Sequence, residues 1–414
     1  MPVFKIARRV KTFLNLDTGA IRNGKLASGQ VIALKRKLNK AHARIAQQER
    51  ENARLQERLS IGFSTEKSQE ASRRGSQTKA SDTSTPVFFI VGQGKSGTGW
   101  LKDMLNSHPE ILCKGEGRFF GRSKRREGLI DAAVDNEGVQ RRIPPPTSLY
   151  NAIAESEHLR LWVERSVWTR KSDSEEHLNN LTRLAIDYFL TSELSQTQKR
   201  LVGDKTPFYG PEDVREIATV YPEAKVIHII RDGRDQAVSR MHHIWNKSTD
   251  RGGITGLAPE ETRKREAFYQ NRQAFLDSGE GIFLEERLRS LAVKWRTDVS
   301  GAIRYGQELL GDNYTQVRYE DLLERPEEEA KRLLEFLGAD TSETVVKWCV
   351  ESSSFEVRAG RKPGDENYTL GFGKQRKGIA GDWKNVFTER DKDIYKNEAG
   401  DLLVELGYEK DHDW

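Results

Sequence analysis

Cysteine and long apolar runs are scarce in this 414-residue sequence. Its two cysteines, Cys113 and Cys349, are too few and too far apart for a disulfide scaffold or a zinc site, which fits a reducing compartment. No run of about 18 apolar residues occurs, so we expect no transmembrane helix. The first residues (MPVFKIARRVKTFLN) also lack the apolar stretch of a secretory signal, so we expect a cytoplasmic protein.

Apolar residues are sparse overall. The hydrophobic fraction of 36% and the mean hydropathy of −0.73 predict that part of the chain lies outside a packed core. The aromatic residues still supply enough apolar area for one large domain. Residues 1–85 carry 18 Lys/Arg against 7 Asp/Glu, whereas the remainder carries 50 against 56. The basic excess therefore belongs to the N-terminal extension, and we expect no nucleic-acid partner.

Three segments are predicted within the extension: a basic segment at 1–31, a coiled-coil helix at 32–61 and a disordered linker at 62–85. Residues 3–14 place five apolar side chains on one helical stripe among Lys and Arg, as in a helix that contacts an anionic membrane or in an ordinary surface helix. Residues 34–59 show heptads with Asn52 at a core position, which predicts a homodimeric coiled coil. A solvated single helix is the alternative. Residues 64–85 have almost no apolar side chains, as expected of a linker.

The main domain is predicted to span residues 86–414. Strand candidates at 87–91 (VFFIV), 225–230 (KVIHII) and 314–319 (YTQVRY) alternate with helical stretches. This alternation predicts an α/β fold with a P-loop-like central parallel sheet and helices on both faces. Ligands of such folds bind beyond the carboxyl ends of the strands.

A glycine-rich turn follows the first strand. It reads Gly92-Gln93-Gly94-Lys95-Ser96-Gly97-Thr98-Gly99-Trp100-Leu101. Its glycines allow successive backbone N–H groups to face one anion, and the next helix adds its positive N-terminal end. The turn is not a Walker A sequence, because that motif needs Gly-Lys-Ser/Thr after a Gly and four further residues, whereas here Lys95 precedes Ser-Gly-Thr.

The segment KSGTxWL within this turn resembles the 5′-phosphosulfate loop of sulfotransferases that use 3′-phosphoadenosine 5′-phosphosulfate (PAPS). The resemblance implies that PAPS is bound by Gly94, Lys95, Ser96, Gly97, Thr98, Gly99 and Trp100. Trp100 stands where cytosolic members of the family stack an aromatic ring on the adenine. Tyr319, in the segment YEDL, resembles a residue near the adenine. Packing in the core is the alternative for both aromatic side chains.

Two further motifs agree with this family. An Arg at a strand end and a Ser eight residues later grip the 3′-phosphate in the family, and Arg231 and Ser239 have that spacing. The segment RKGIAGDWKN at 376–385 resembles the signature RKGxxGDWKN, which implies that Arg376, Lys377 and Gly378 close over the 3′-phosphate. The three motifs occur in the family's order, and the resemblance covers the chain from Pro86 to its C-terminus.

Two patterns within the family assign the catalytic base to different residues. Cytosolic sulfotransferases have a His in a Lys-Thr-His segment, but here Lys205-Thr206 is followed by Pro207. The segment instead resembles the Glu-Lys-Thr-Pro of glycan sulfotransferases, whose Lys helps to bind the sulfuryl group. Their base is a Glu about 21 residues after the loop Lys and just before two aromatics, and Glu116 fits both conditions relative to Lys95. We therefore expect Glu116 as the general base, Lys205 beside it and Lys95 on the leaving phosphate. Asp204 and His242 are reserve candidates, and Glu116 as a surface loop residue is the alternative.

These motifs predict a PAPS-dependent sulfotransferase that releases 3′,5′-adenosine bisphosphate. No cluster of His, Cys or Asp has metal-ligand spacing, so we expect no metal. A P-loop kinase or NTPase, with Asp232 on magnesium, and a non-catalytic coiled-coil adaptor are the alternatives. The glycan-type Glu and Lys-Thr-Pro favour a saccharide or glycolipid hydroxyl as acceptor, with an amine less favoured. Contact of residues 3–14 with a membrane would favour a lipid-linked acceptor.

Overall fold

The computed structural model describes residues 86–121, 132–134, 140–142, 148–206, 208, 210–250, 257–365 and 376–414. They all belong to one of the two units into which the chain divides, Ser84–Trp414. The predicted amphipathic stripe, heptads and linker lie outside the described residues. Those three assignments therefore stay predictions.

A parallel sheet forms the centre of the domain. Its strands are β1 (Val87–Val91), β2 (Ile111–Gly115), β5 (Leu201–Lys205), β6 (Lys225–Ile230) and β7 (Tyr314–Arg318). They lie in the spatial order β2-β5-β1-β6-β7, and every neighbouring pair is parallel. A separate antiparallel pair joins β3 (Ala132–Val134) to β4 (Gln140–Arg142). The predicted α/β class with a parallel central sheet is therefore confirmed.

Strands β1 and β6 match the predicted ranges, and β7 ends one residue before the predicted boundary at Tyr319. Strands β2 (ILCKG) and β5 (LVGDK) were not predicted, because each has only two or three apolar residues before Gly or a charged residue. Close packing explains the glycine in β5. A Cβ atom at Gly203 would lie 2.3 Å from the Phe88 ring on the adjacent strand.

Fourteen α-helices are present in the described residues. They are α1 (Thr98–Ser107), α2 (Leu149–Ile153), α3 (Glu157–Arg165), α4 (Ser174–Leu194), α5 (Glu212–Val220), α6 (Gly233–Asp250), α7 (Pro259–Gln270), α8 (Arg272–Asp277), α9 (Glu285–Leu310), α10 (Tyr319–Glu324), α11 (Pro326–Leu337), α12 (Glu343–Ser352), α13 (Phe355–Ala359) and α14 (Glu389–Glu405). No helix among the described residues is long and apolar enough to cross a membrane.

Helices cover both faces of the sheet. Phe89 and Val91 of β1 pack with apolar residues of α4, α5 and α9. Because side chains alternate along a strand, Phe88 and Ile90 point to the other face, where α1 contacts the sheet. A second cluster joins α6, α7, α9 and α14 around Trp245 and Trp295, both fully buried. Burial of both sheet faces explains the continuous apolar run of β1.

The parallel arrangement places the candidate motifs along one edge. Glu116 directly follows β2, Lys205 ends β5, the glycine-rich turn follows β1, and Arg231 follows β6. These four strands are neighbours in the sheet, with a spacing of roughly 5 Å between adjacent strands. The strand order therefore brings together residues that are far apart in the sequence, such as Lys95 and Arg231, which are 136 positions apart.

Candidate active site

The glycine-rich turn has the backbone of an anion-binding loop. Lys95 and Gly97 have positive φ angles, 84° and 94°, and Gly97 is the N-cap of α1. Positive φ at a residue other than glycine is strained and is maintained by the surrounding structure. Here the Ser96 N–H donates to the Gln93 carbonyl at 3.1 Å, and the Gln236 side chain donates to the Gly94 carbonyl at 2.9 Å. These two hydrogen bonds help to hold the turn in this conformation.

Tyr319 lies directly against the turn. A Cβ atom at Gly97 would be 2.6 Å from Cδ2 of Tyr319, so this position admits only glycine on steric as well as conformational grounds. The Tyr319 ring also contacts Trp100 edge to face, with 5.6 Å between ring centroids, and the Arg231 guanidinium lies 4.4 Å from its centroid. Tyr319 is buried, and it packs the turn, Trp100 and Arg231 together.

Arg231 physically joins the three predicted motifs. Its Nη1 donates to the Lys95 carbonyl at 3.1 Å, and its Nη2 donates to the Ile379 carbonyl at 3.1 Å. The buried Nε atoms of Arg231 and Arg376 have no hydrogen-bond partner within the described part of the chain. Buried guanidinium nitrogens of this kind suit a phosphate ligand, which offers several acceptor oxygens.

Asp235 connects Arg231 to the loop that carries the third motif. Its carboxylate accepts hydrogen bonds from the backbone N–H groups of Gly381 at 2.7 Å and Trp383 at 2.9 Å, and it lies 3.5 Å from Arg231 Nη2. Burial raises the pKa of Asp235, an effect that the charge of Arg231 opposes. A fully buried carboxylate with these partners fixes the position of the loop relative to β6.

Asp382 organises the Arg-Lys-Gly segment itself. It pairs with Arg376 at 2.5 Å and with Lys377 at 2.8 Å. Burial opposes its ionisation, but these two cations outweigh that effect and lower the pKa of Asp382. Gly378 has a φ of 66°, and a Cβ atom there would lie 2.2 Å from the Phe355 ring. The predicted glycine is therefore required by its surroundings.

Ser239 lies in the second turn of α6, the helix that starts just after β6. It is buried close to the helix end that faces the carboxyl edge of the sheet. The residues predicted to grip the 3′-phosphate thus come from three elements: the end of β6, the first turns of α6, and the loop after residue 375.

Glu116 and Lys205 form an ion pair at the other end of the same edge. Lys205 Nζ donates to Glu116 Oε1 at 2.8 Å, and the Glu116 N–H donates to the Lys205 carbonyl at 2.9 Å. Glu116 has a φ of 63°, and its side chain is 60% exposed, against 13% for Lys205. The carboxylate therefore faces solvent while the ammonium group lies beneath it.

The two reserve candidates have different surroundings. Asp204 is buried and accepts hydrogen bonds from the Gly117 N–H at 3.0 Å and the Thr206 hydroxyl at 3.3 Å, so it anchors the turn that carries Glu116. Burial raises the pKa of Asp204 to about 6. His242 is also buried, which lowers its pKa well below the usual value, and its Nδ1 lies 3.2 Å from the Tyr269 hydroxyl. His242 lines a cavity of about 340 Å³ that Arg376 and Lys377 also border.

Sequence reasoning missed two of these positions. Both are close in the sequence to motif residues: Asp382 pairs with Arg376 and Lys377 of its own motif, whereas Asp235 accepts from backbone groups of a distant loop. Their one local signal is a carboxylate close to several Arg and Lys residues of the same motif. No group of three or more His, Cys, Asp or Glu side chains in the described residues is placed to hold a metal ion.

Comparisons with known proteins agree with the motifs. The family model described as "Sulfotransferase domain" matches residues 85–401. The chain therefore belongs to the sulfotransferase family.

The curated relatives match over shorter stretches. Human sulfotransferase 6B1 is 38% identical over 168 residues, which cover 40% of this chain and 46% of the relative. Cytosolic sulfotransferase 3 of Arabidopsis thaliana is 28% identical over 210 residues, 47% of this chain and 57% of the relative. The chain thus spans about half the length of these relatives.

Solved sulfotransferase structures are similar at lower identity. Mouse sulfotransferase SULT7A1, complexed with PAP, has 17% identity and a TM-score of 0.40, with coverage of 79% of this chain and 90% of that one. The sulfotransferase domain of the curacin biosynthetic pathway has 16% identity and a TM-score of 0.40, with coverage of 78% and 98%.

Proposed function

We propose that this protein is an enzyme that transfers a sulfuryl group from PAPS to the hydroxyl group of an acceptor by in-line displacement. The observation that carries the proposal is the position of Arg231, whose guanidinium group donates hydrogen bonds to the Lys95 and Ile379 carbonyls. These contacts connect the predicted 5′-phosphosulfate loop to the predicted 3′-phosphate loop. A ligand with phosphates at both ends of one nucleoside suits that arrangement.

The residues present fit PAPS by charge and by shape. The glycine-rich turn, with positive φ at Lys95 and Gly97, leads directly into the N-terminus of α1, and a helix N-terminus favours an anion. Two buried guanidinium Nε atoms lack partners among the described residues, and Lys377 adds a further cation. When bound, PAPS supplies the activated sulfuryl group, and its other product is 3′,5′-adenosine bisphosphate.

Each side chain has a distinct task in the transfer. Lys95 would neutralise charge that develops on the leaving phosphate of bound PAPS, and Lys205 would help to bind its sulfuryl group. Glu116 accepts the proton of the acceptor hydroxyl as the new oxygen–sulfur bond forms and the sulfur–phosphate oxygen bond breaks. The ion pair with Lys205 holds the Glu116 carboxylate at the end of β2. Asp204 and His242 are not assigned as the base, because Asp204 accepts the hydrogen bond of the Gly117 turn and His242 borders the cavity lined by Arg376 and Lys377, the residues predicted to bind the 3′-phosphate.

The alternative of a magnesium-dependent kinase fits this site less well than a sulfotransferase does. That alternative needs Asp232 as a metal ligand, but the Asp232 carboxylate pairs with Arg234 at 2.7 and 3.0 Å and is buried. We propose that the reaction needs no metal, because Lys95, Arg231, Arg376 and Lys377 can neutralise the cofactor phosphates. Activity that survives EDTA would support this assignment, and its loss would contradict it.

The acceptor class and the assembly rest on sequence patterns. A Glu base and a Lys-Thr-Pro segment like those of glycan sulfotransferases support a saccharide or glycolipid hydroxyl as the acceptor.

The heptads at 34–59 support a homodimer, and the stripe at 3–14 supports peripheral membrane contact by a cytoplasmic protein. Sedimentation equilibrium of the full chain and of a variant with Leu38→Pro and Leu55→Pro tests the dimer, which the variant should lose.

The transfer reaction is tested with PAPS labelled with ³⁵S. The full chain and Glu116→Gln are incubated with host extract, which is then separated into lipid, polysaccharide and small-molecule fractions. Label in one fraction with the wild type alone would support the reaction and identify the acceptor class. If no fraction is labelled, the melting temperature with 3′,5′-adenosine bisphosphate and with ATP-magnesium separates a missing acceptor from a different nucleotide chemistry.

A further inference from the structure

Exposed apolar side chains are concentrated in one stretch of the domain. Of the ten large hydrophobic side chains that are exposed in the described residues, eight lie between residues 161 and 189. They are Leu161, Trp162, Val167, Trp168, Leu181, Leu184, Tyr188 and Phe189. Helices α3 and α4, which carry six of them, pack against each other. Single exposed apolar residues are ordinary, but a concentration of this kind marks an interaction surface.

The most exposed of these residues lie at the end of a short turn after α3. Val167 is 93% exposed and Trp168 is 91% exposed, so both side chains project away from their own domain. The turn is nevertheless ordered by its backbone: the Ser166 N–H donates to the Val163 carbonyl at 3.2 Å, and the Trp168 N–H donates to Ser166 Oγ at 3.2 Å. Val163 is buried, so the turn is anchored to the core. We refer to residues 165–171 as the Trp168 turn.

Cations flank the two projecting side chains. Arg165, Arg170 and Lys171 are exposed, and the Trp168 turn contains no carboxylate. The chain beyond residue 85 carries an excess of Asp and Glu, so this positive turn stands out against a negative background. A local group of cations of this kind favours contact with an anionic surface.

We propose that the Trp168 turn docks the folded domain on a membrane surface rich in anionic phospholipid. Val167 and Trp168 enter the boundary between headgroups and acyl chains, where tryptophan is favoured, and the three cations contact lipid phosphates. Val167 and Trp168 project from a turn between exposed cations, an arrangement that suits the headgroup region of a fluid anionic bilayer. The Trp168 turn does not include residues 3–14, and the proposal is independent of the transfer reaction.

The test uses the full chain and vesicles of phosphatidylglycerol with phosphatidylcholine, compared with vesicles of phosphatidylcholine alone. Val167→Ser with Trp168→Ser should lower the vesicle partition coefficient by about tenfold, because the inserted apolar surface is lost. Leu309→Ser with Val357→Ser is the matched control, since it removes two exposed apolar side chains outside the stretch. This control should bind as the wild type does. Arg165→Gln, Arg170→Gln and Lys171→Gln together should weaken binding to the anionic vesicles only.

Insertion of the Trp168 turn into the bilayer is measured separately by fluorescence quenching, because the basic residues before position 86 can also attract anionic lipid. Brominated lipids should quench the tryptophan fluorescence of the wild type more than that of Trp168→Phe. Equal quenching, or equal partition of the Val167→Ser/Trp168→Ser variant and the wild type, would overturn the proposal. A wild type that dimerises through this surface, with vesicle binding unaffected by the same substitutions, would instead identify it as an interface between two copies.

Discussion

Lys205 Nζ lies 2.8 Å from Glu116 Oε1, and the Glu116 N–H donates to the Lys205 carbonyl at 2.9 Å. Both contacts follow from the parallel pairing of β2 with β5, in which Gly115 is opposite Lys205. The carboxylate and the ammonium group are thus held at adjacent strand ends rather than on independent loops. A base and a cation that are fixed in this way need little reorganisation when an acceptor binds.

Glu116→Gln should lower kcat by about 10²–10⁴-fold, because the amide cannot accept the acceptor proton. The Kd for 3′,5′-adenosine bisphosphate, measured by calorimetry, should stay close to the wild-type value. Glu327→Gln changes an exposed glutamate on α11 in the same way and should leave turnover unaffected. Near-normal turnover of Glu116→Gln would remove Glu116 from the mechanism.

Asp235→Asn should weaken binding of 3′,5′-adenosine bisphosphate by about tenfold while 5′-AMP binds as before. Asparagine offers one acceptor where the carboxylate serves two backbone N–H groups, and it has no charge to hold Arg231. Calorimetry with the two nucleotides isolates the contribution of the 3′-phosphate. Equal losses for both ligands would assign Asp235 a purely structural role.

Gly97→Ala should destabilise the fold and abolish most nucleotide binding, because the new methyl group would meet the Tyr319 ring at 2.6 Å. Gly279→Ala is the matched control: its φ is also positive, 73°, but nothing lies within 4 Å of the added Cβ. Chemical denaturation of both variants separates the backbone cost, about 1 kcal/mol, from the steric cost. Similar losses in the two variants would show that Tyr319 does not restrict the turn.

Asp204 should make stability depend on pH. Its pKa is raised from 3.8 to about 6 in the folded chain, so between these values the folded state keeps a proton that the unfolded state has lost. The free energy of unfolding therefore falls as pH rises through this window, by roughly 3 kcal/mol. Asp204→Asn should lack this component, and the exposed Asp312→Asn should retain it. Urea denaturation across the window gives the comparison, and parallel pH profiles for Asp204→Asn and the wild type would contradict the assignment.

The sequence predicts those elements and turns whose conformation depends on a few contiguous residues. The run VFFIV predicts β1 because a strand buried on both faces is apolar throughout, and the glycine-rich turn predicts an anion cradle because positive φ angles favour glycine. Lys95 departs from that rule, and the structure shows the hydrogen bonds around the turn that maintain its strained backbone. Short strands such as LVGDK were missed because their stability comes from neighbours on both sides rather than from their own residues.

What the sequence alone determined is the chemistry of each motif: a phosphate loop, an Arg at a strand end, an Arg-Lys-Gly segment and a Glu before two aromatics. The tertiary structure decided how these motifs meet. Asp235 binds backbone groups 146 and 148 residues further along the chain, and Glu116 meets a lysine 89 residues away. The reason is physical, because a motif depends on local backbone preference and side-chain type. The partners of a motif depend on the order of strands in the sheet. That order, β2-β5-β1-β6-β7, differs from the order of the strands in the chain.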